Sequence, residues 1–231
     1  MSKLSEQLAK VQNAVNETVA AAGREPGSVK LLAVSKTFPA SDVSEAYQAG
    51  QREFGENRVQ ELEEKVPVLP DDIVWHLIGH LQSNKAAKAA ELADWVHSVD
   101  SVKLVNKLSA AAEKNGKILN ILLEVNVSGE ESKYGIRTRE DLFQIAEAAL
   151  NAPSIALRGL MTMAPADAKG DELKQVFAGL RKMRDELEEK YSVSLPELSM
   201  GMSGDYPAAV AEGSTIVRIG TAIFGGRDYS K

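Results

Sequence analysis

The chain has 231 residues, no cysteine, and 27 Lys and Arg against 33 Asp and Glu, giving a net charge of −6. Its 44% hydrophobic and 26% charged content is that of an ordinary globular protein. The missing cysteines exclude disulfides, thiolate metal sites and a cysteine nucleophile, and fit a reducing compartment.

The mild acidity and the absence of a basic stripe speak against a nucleic-acid partner. The first residues lack the apolar core of a signal peptide, and no run approaches the ~18 apolar residues needed to span a bilayer. The expected location is therefore the cytoplasm, with no membrane partner.

Leu4, Leu8, Val11, Val15 and Val19 make one apolar stripe at helical spacing, stopped by Gly23 and Pro26. Eight short apolar, β-branched runs follow, at 30–35, 52–54, 73–78, 95–98, 120–127, 156–161, 197–199 and 215–219. Helical patterns separate them at roughly 40–49, 57–66, 83–92, 101–115, 138–151, 171–190 and 205–213. Strands alternating with helices imply parallel pairing through helical crossovers. Eight such units in a chain of this length favour an α/β fold closed as a single (β/α)8 TIM-type barrel over an open sheet. Only about a dozen residues follow the last strand, too few for a full final helix, so the N-terminal helix is expected to cover that gap. No linker or low-complexity tract interrupts the pattern, and the expectation is one domain over 1–231.

Barrel chemistry gathers at the C-terminal ends of the strands. Three features break local rules there. Lys36 closes the first strand, on the face of Leu32 and Val34. An amine beside low-dielectric walls loses its proton more easily and can attack a carbonyl to form a Schiff base; the alternative is a solvated loop lysine. Arg218 interrupts Thr215–Ile219 between apolar neighbours. A buried guanidinium must find an acceptor, either on a ligand or in an ion pair, for which Glu124 is a candidate. Finally, Ser199–Gly204 and Gly220–Gly226 are small-residue turns before short helical pieces, after the seventh and eighth strands. Exposed N–H groups and a helix dipole there suit a phosphate; plain turns are the alternative.

His76, His80 and His97 do not form a zinc pattern, and no metal is expected. His76 is expected to pack in the sheet, with His80 at the rim. Neither GxxxxGK nor GxGxxG occurs, and the charged run at 181–190 reads as a solvated helix face.

Leu32–Lys36, Phe54–Arg58, His76–Gln82 with Asn84 and Lys85, Gly159–Met163, Leu198–Ser203 and Val217–Gly225, with Ser132–Gly135 in support, resemble the pyridoxal phosphate homeostasis protein family over residues 5–229 or so. The resemblance implies a barrel similar to the N-terminal barrel of alanine racemase, with pyridoxal 5′-phosphate held as a Schiff base on Lys36. Ser203 and the Gly220–Thr221 backbone would hold its phosphate, with Met202 beside them. Arg218 would face the pyridine nitrogen and Asn57 the phenolic side, and His80 and Met161 would line the pocket. It also implies a non-enzymatic role in vitamin B6 and amino-acid/keto-acid balance, with transient contact with apo pyridoxal phosphate enzymes as a partner expectation.

An always-charged arginine at the ring nitrogen disfavours ring protonation and weakens the electron sink. The second, β-rich domain that supplies an acid/base group to racemases is not expected here. A minimal racemase using Lys36 as base, and a Schiff-base aldolase without a pyridine ring for Arg218 to face, are the alternatives. Lys133 is a candidate second amine. No long apolar surface helix stands out, so a monomer is expected.

Overall fold

The structure is a computed structural model that describes residues 2–130 and 133–226. Eight parallel strands close a barrel in sequence order. They are β1 (Lys30–Val34), β2 (Glu53–Glu56), β3 (Val74–Leu77), β4 (Trp95–Val99), β5 (Leu119–Glu124), β6 (Ile155–Met161), β7 (Glu197–Met202) and β8 (Ile216–Ile219). Closure is made by β1 on β8, with Lys30 opposite Ile216 and Leu32 opposite Arg218. The crossovers carry α2 (Ala40–Gln48), α3 (Val59–Lys65), α4 (Ala86–Leu92), α5 (Val102–Lys114), α6 (Arg139–Leu150), α7 (Gly170–Tyr191) and α8 (Tyr206–Ala211).

The N-terminal helix α1 (Lys3–Ala21) starts at Ser2, whose hydroxyl accepts from the Ser5 N–H at 3.2 Å. It buries Leu8, Val15 and Val19 and packs on α2, α8 and α9 (Thr221–Phe224). The expected gap after β8 is thus covered by α1, because α9 is only one turn long.

Two strand ends differ from the pattern in the sequence. β5 stops at Glu124 because Asn126 opens a turn, its side chain accepting from the Gly129 N–H and the Ser128 hydroxyl. β7 continues to Met202, where Ser199–Gly204 looks like a turn throughout; a register shift against β8 and Gly201 at φ +95° let the strand continue. Ser132 lies outside the described residues.

Alternation sorts the strands' side chains between two cores. Leu31, Ala33 and Phe54 point out to the helices, where they join one continuous cluster with Leu62, Leu108 and Phe177. Leu32, Leu122, Met161 and Ile216 are buried outside that cluster and fill the lumen. The lumen also holds His76, His97, Ser199 and Arg218, all buried. Among the described residues, no helix is long and apolar enough to cross a membrane.

Candidate functional site

A cavity of about 400 Å³ opens at the C-terminal ends of the strands, within the size range of small-molecule sites. β1 delivers Lys36 to its wall, and Val34 lies beneath it. The turn carrying Lys36 is fixed on both sides. The buried Ser35 hydroxyl donates to Glu56 Oε1 at 2.6 Å, and Lys65 Nζ from α3 donates to the Ser35 carbonyl at 3.0 Å and sits 2.6 Å from the same Glu56 oxygen. Burial pushes the Glu56 carboxyl up to about 7, with Lys65 and Ser35 pulling it back. Thr37 takes φ +69°, a costly conformation for a β-branched residue. Its N–H is held by the Glu61 carboxylate on α3.

β8 brings Arg218 to the floor. Its Nη1 donates to Ser199 Oγ at 2.8 Å and its Nη2 to the Thr162 carbonyl at 2.9 Å. Burial lowers it to about 10, so it stays cationic at neutral pH. Neutral acceptors hold it, and Asp205 and Glu124 attract it only through space. Glu124 lines the same cavity on β5. Its Oε2 is buried without a hydrogen-bond partner, and burial pushes the carboxyl up to about 7, with Asp100 adding to this and Arg218 opposing it.

Ser203, Gly204, Gly220 and Thr221 complete one side. The Asp205 side chain accepts from the Met202 N–H and ties the β7 turn. Helix geometry leaves the first N–H groups of α9 without intrahelical acceptors. Gly220 allows close approach of strands: a Cβ there would meet the Val34 carbonyl at 2.9 Å. Phe38 and Phe224 stack at 5.1 Å and link the turn after β1 to α9.

Asn57 and His80 line the opposite side. His80 stacks on Tyr134 with centroids 3.9 Å apart and lies 3.8 Å from Asp100. Gly79 lets the segments after β2 and β3 touch, since a Cβ there would clash with the Asn57 carbonyl.

Lys36, Asn57, His80, Met202, Ser203, Arg218, Gly220 and Thr221 therefore meet at one cavity. Met161 does not reach it: the end of β6 is buried at 1% exposure, and Met163, two residues on, lines the wall instead. Glu124, Tyr134 and Met163 are cavity residues that sequence reasoning missed; alternation from Leu122 and Met161 would have signalled Glu124 and Met163. Lys133 pairs with Glu130 at 2.8 Å and is not among the lining residues. Among the described residues, no three His, Asp or Glu side chains converge as metal ligands.

A family model described as alanine racemase, N-terminal domain, matches residues 7–228. The pyridoxal phosphate homeostasis protein of Pseudomonas aeruginosa is 48% identical over 230 residues, covering 99% of this chain and 98% of the relative. The Escherichia coli K12 protein of the same name is 40% identical over 242 residues, covering 100% of each. PipY of Synechococcus elongatus PCC7942, solved with PLP bound, superposes with a TM-score of 0.84 at 41% identity, covering 96% of this chain and 100% of PipY. Bacillus anthracis alanine racemase gives 0.71 at 16% identity over 57% of its length, a likeness of fold alone. The barrel is thus of the alanine racemase N-terminal type. Within that class, the chain belongs to the pyridoxal phosphate homeostasis protein family.

Proposed function

We propose that this protein binds pyridoxal 5′-phosphate as a Schiff base on Lys36 and acts as a cofactor-holding protein in vitamin B6 and amino-acid/keto-acid homeostasis, without catalytic turnover. The observation that carries the reading is one cavity with an amine at its wall, a cation at its floor and a Ser/Gly/Thr cup between two strand ends. The residues fit the group: the cup offers a hydroxyl and backbone N–H donors to a phosphate, Arg218 faces the lumen, and the volume suits one small ligand.

When bound, the cofactor supplies an aldehyde for an amine and an electron-accepting ring. The chain's residues do the rest. Lys36 is held in place by the clamped Ser35–Thr37 turn. Ser203, Gly204, Gly220 and Thr221 would hold the phosphate, Asn57 and His80 would flank the ring, Met163 and Met202 would give it apolar contact, and Arg218 would set the charge at the ring nitrogen. A guanidinium that is cationic at neutral pH disfavours a protonated ring. That suits storage better than carbanion chemistry.

A visible spectrum of the purified protein before and after borohydride, with intact and peptide masses, tests the assignment. A visible band lost on reduction, with a pyridoxyl adduct on Lys36, is expected. A colourless protein that stays adduct-free after incubation with the vitamin overturns it. Exchange of an amino acid's α-proton in heavy water, abolished by Lys36→Ala, would instead make the protein a minimal racemase-like enzyme.

A further inference from the structure

A polar chain runs down the barrel lumen from Arg218 to the opposite end. Arg218 Nη1 lies 2.8 Å from Ser199 Oγ, Ser199 Oγ 3.0 Å from His97 Nδ1, and His97 Nε2 2.9 Å from His76 Nδ1. His76 Nε2 then lies 3.2 Å from Glu53 Oε2, off the line of a good hydrogen bond. Ser199, His97 and His76 are completely buried. Elsewhere the lumen is filled by Leu32, Leu122, Met161 and Ile216, so apolar filling is the local alternative, and a buried polar chain carries a desolvation cost relative to it.

The geometry points to His97 as a positioning residue for Arg218: by accepting the Ser199 proton it leaves the Ser199 oxygen to hold the guanidinium against the cavity floor, aimed at the cofactor's ring. The inference rests on the proposed binding of pyridoxal phosphate.

The direction of the chain follows from its first member. Arginine only donates, so Ser199 Oγ must accept from it, and the Ser199 proton must go to another acceptor. His97 Nδ1 is that acceptor if the imidazole is neutral. It is surrounded by His76 on β3, Arg218 on β8 and Lys30 on β1, and burial together with those groups holds it well below the usual histidine range. A neutral ring accepting at Nδ1 carries its proton on Nε2 and donates it to His76 Nδ1. His76 then carries its proton on Nε2, facing the Glu53 carboxylate. The reverse direction would set a His76 lone pair against that carboxylate and leave the Ser199 proton without an acceptor. One fixed cation therefore sets two tautomers, and the tautomers in turn fix the cation.

The test combines ring ¹⁵N spectroscopy of the native protein with two variants. Long-range ¹H–¹⁵N correlations should show His97 protonated at Nε2 and bare at Nδ1 throughout pH 5.5–8.5, in ligand-free and loaded protein alike. His97→Leu should weaken pyridoxal phosphate binding about tenfold, the scale of one lost charge-assisted hydrogen bond, and move the pH midpoint of the bound cofactor's visible band. His97→Gln, which can accept from Ser199 and donate to His76, should stay within about threefold of native. Ser199→Ala replaces His97→Leu if that variant does not fold.

A His97 proton on Nδ1, a cationic His97, or a folded His97→Leu protein with native affinity and band would overturn the inference. If the native protein binds no pyridoxal phosphate, the functional reading fails instead. The chain is then decided by the tautomers and by the Arg218 Nε–H resonance, which His97→Leu should shift and His97→Gln should not.

Discussion

Glu124→Gln isolates the electrostatic cost built into the cavity floor. In the native fold the Glu124 carboxyl is buried, one oxygen has no partner, and it ionises at about 7 instead of the ordinary 4.5. Each pH unit of difference is worth about 1.4 kcal/mol, so the largest effect on stability is roughly 3 kcal/mol. Asp100 raises the value and Arg218 lowers it, yet burial remains the leading cause. Because the folded state holds this proton more tightly than the unfolded chain, the stabilisation is fully present below pH 4.5. It is lost as the pH rises from there through 7. Gln keeps the shape and cannot ionise. Urea unfolding of the ligand-free native and variant proteins at several pH values between 4.5 and 8.5 should therefore diverge. The variant should gain roughly 2–3 kcal/mol on native across the range, a midpoint shift on the order of 1 M. Glu56 also ionises at about 7, but it is present in both proteins and cancels in the difference. Parallel stability profiles would mean that the Glu124 carboxylate is solvated or paired in solution, and the reasoning would fail.

Lys65→Met should destabilise the fold increasingly as the pH rises above about 7, where the native Glu56 carboxyl is ionised and loses its buried cation; Glu56→Gln added to it should remove that pH dependence, measured by urea unfolding. Ser203→Ala should weaken pyridoxal phosphate binding by roughly 1–2 kcal/mol in equilibrium titration, and equal affinity would place the phosphate elsewhere. Gly79→Ala forces a Cβ against the Asn57 carbonyl. It should cost about 1–3 kcal/mol of thermal stability and lower cofactor affinity through Asn57. An alanine variant as stable as native would show that the two strand ends separate easily.

The eight strands and their order were legible because alternation of apolar runs with helical patterns reports local chemistry directly. Positions were less legible wherever a strand end depends on its neighbour. Gly201 lets β7 continue through a turn-like sequence, and Asn126 ends β5 before its apolar run is finished. The cavity residue of β6 is displaced from Met161 to Met163 for the same reason: polarity begins after Met161, but the lumen stays closed for two residues more. Lys36 and Arg218 stood out because each breaks a run. The partners of Arg218 did not, since Ser199 and Thr162 lie 19 and 56 residues before it in the chain and meet it only in the closed barrel. A single chain read locally offers Glu124 as an ion-pair partner as readily as the neutral acceptors that Arg218 takes.

The seam where β1 meets β8 carries the two groups assigned to opposite ends of the cofactor ring, Lys36 just past one strand and Arg218 within the other. These are the first and last strands of the barrel, so theirs is the strand pairing of longest sequence separation and the costliest of the eight in loop closure. A ribosome-bound chain has Lys36 outside the exit tunnel long before Arg218 is translated. If Lys36 and Arg218 hold the cofactor as proposed, its capture is a late event that reports a finished barrel. A ligand bound across that seam also latches it: excess cofactor should slow seam opening more than it slows fraying of any interior pair of strands.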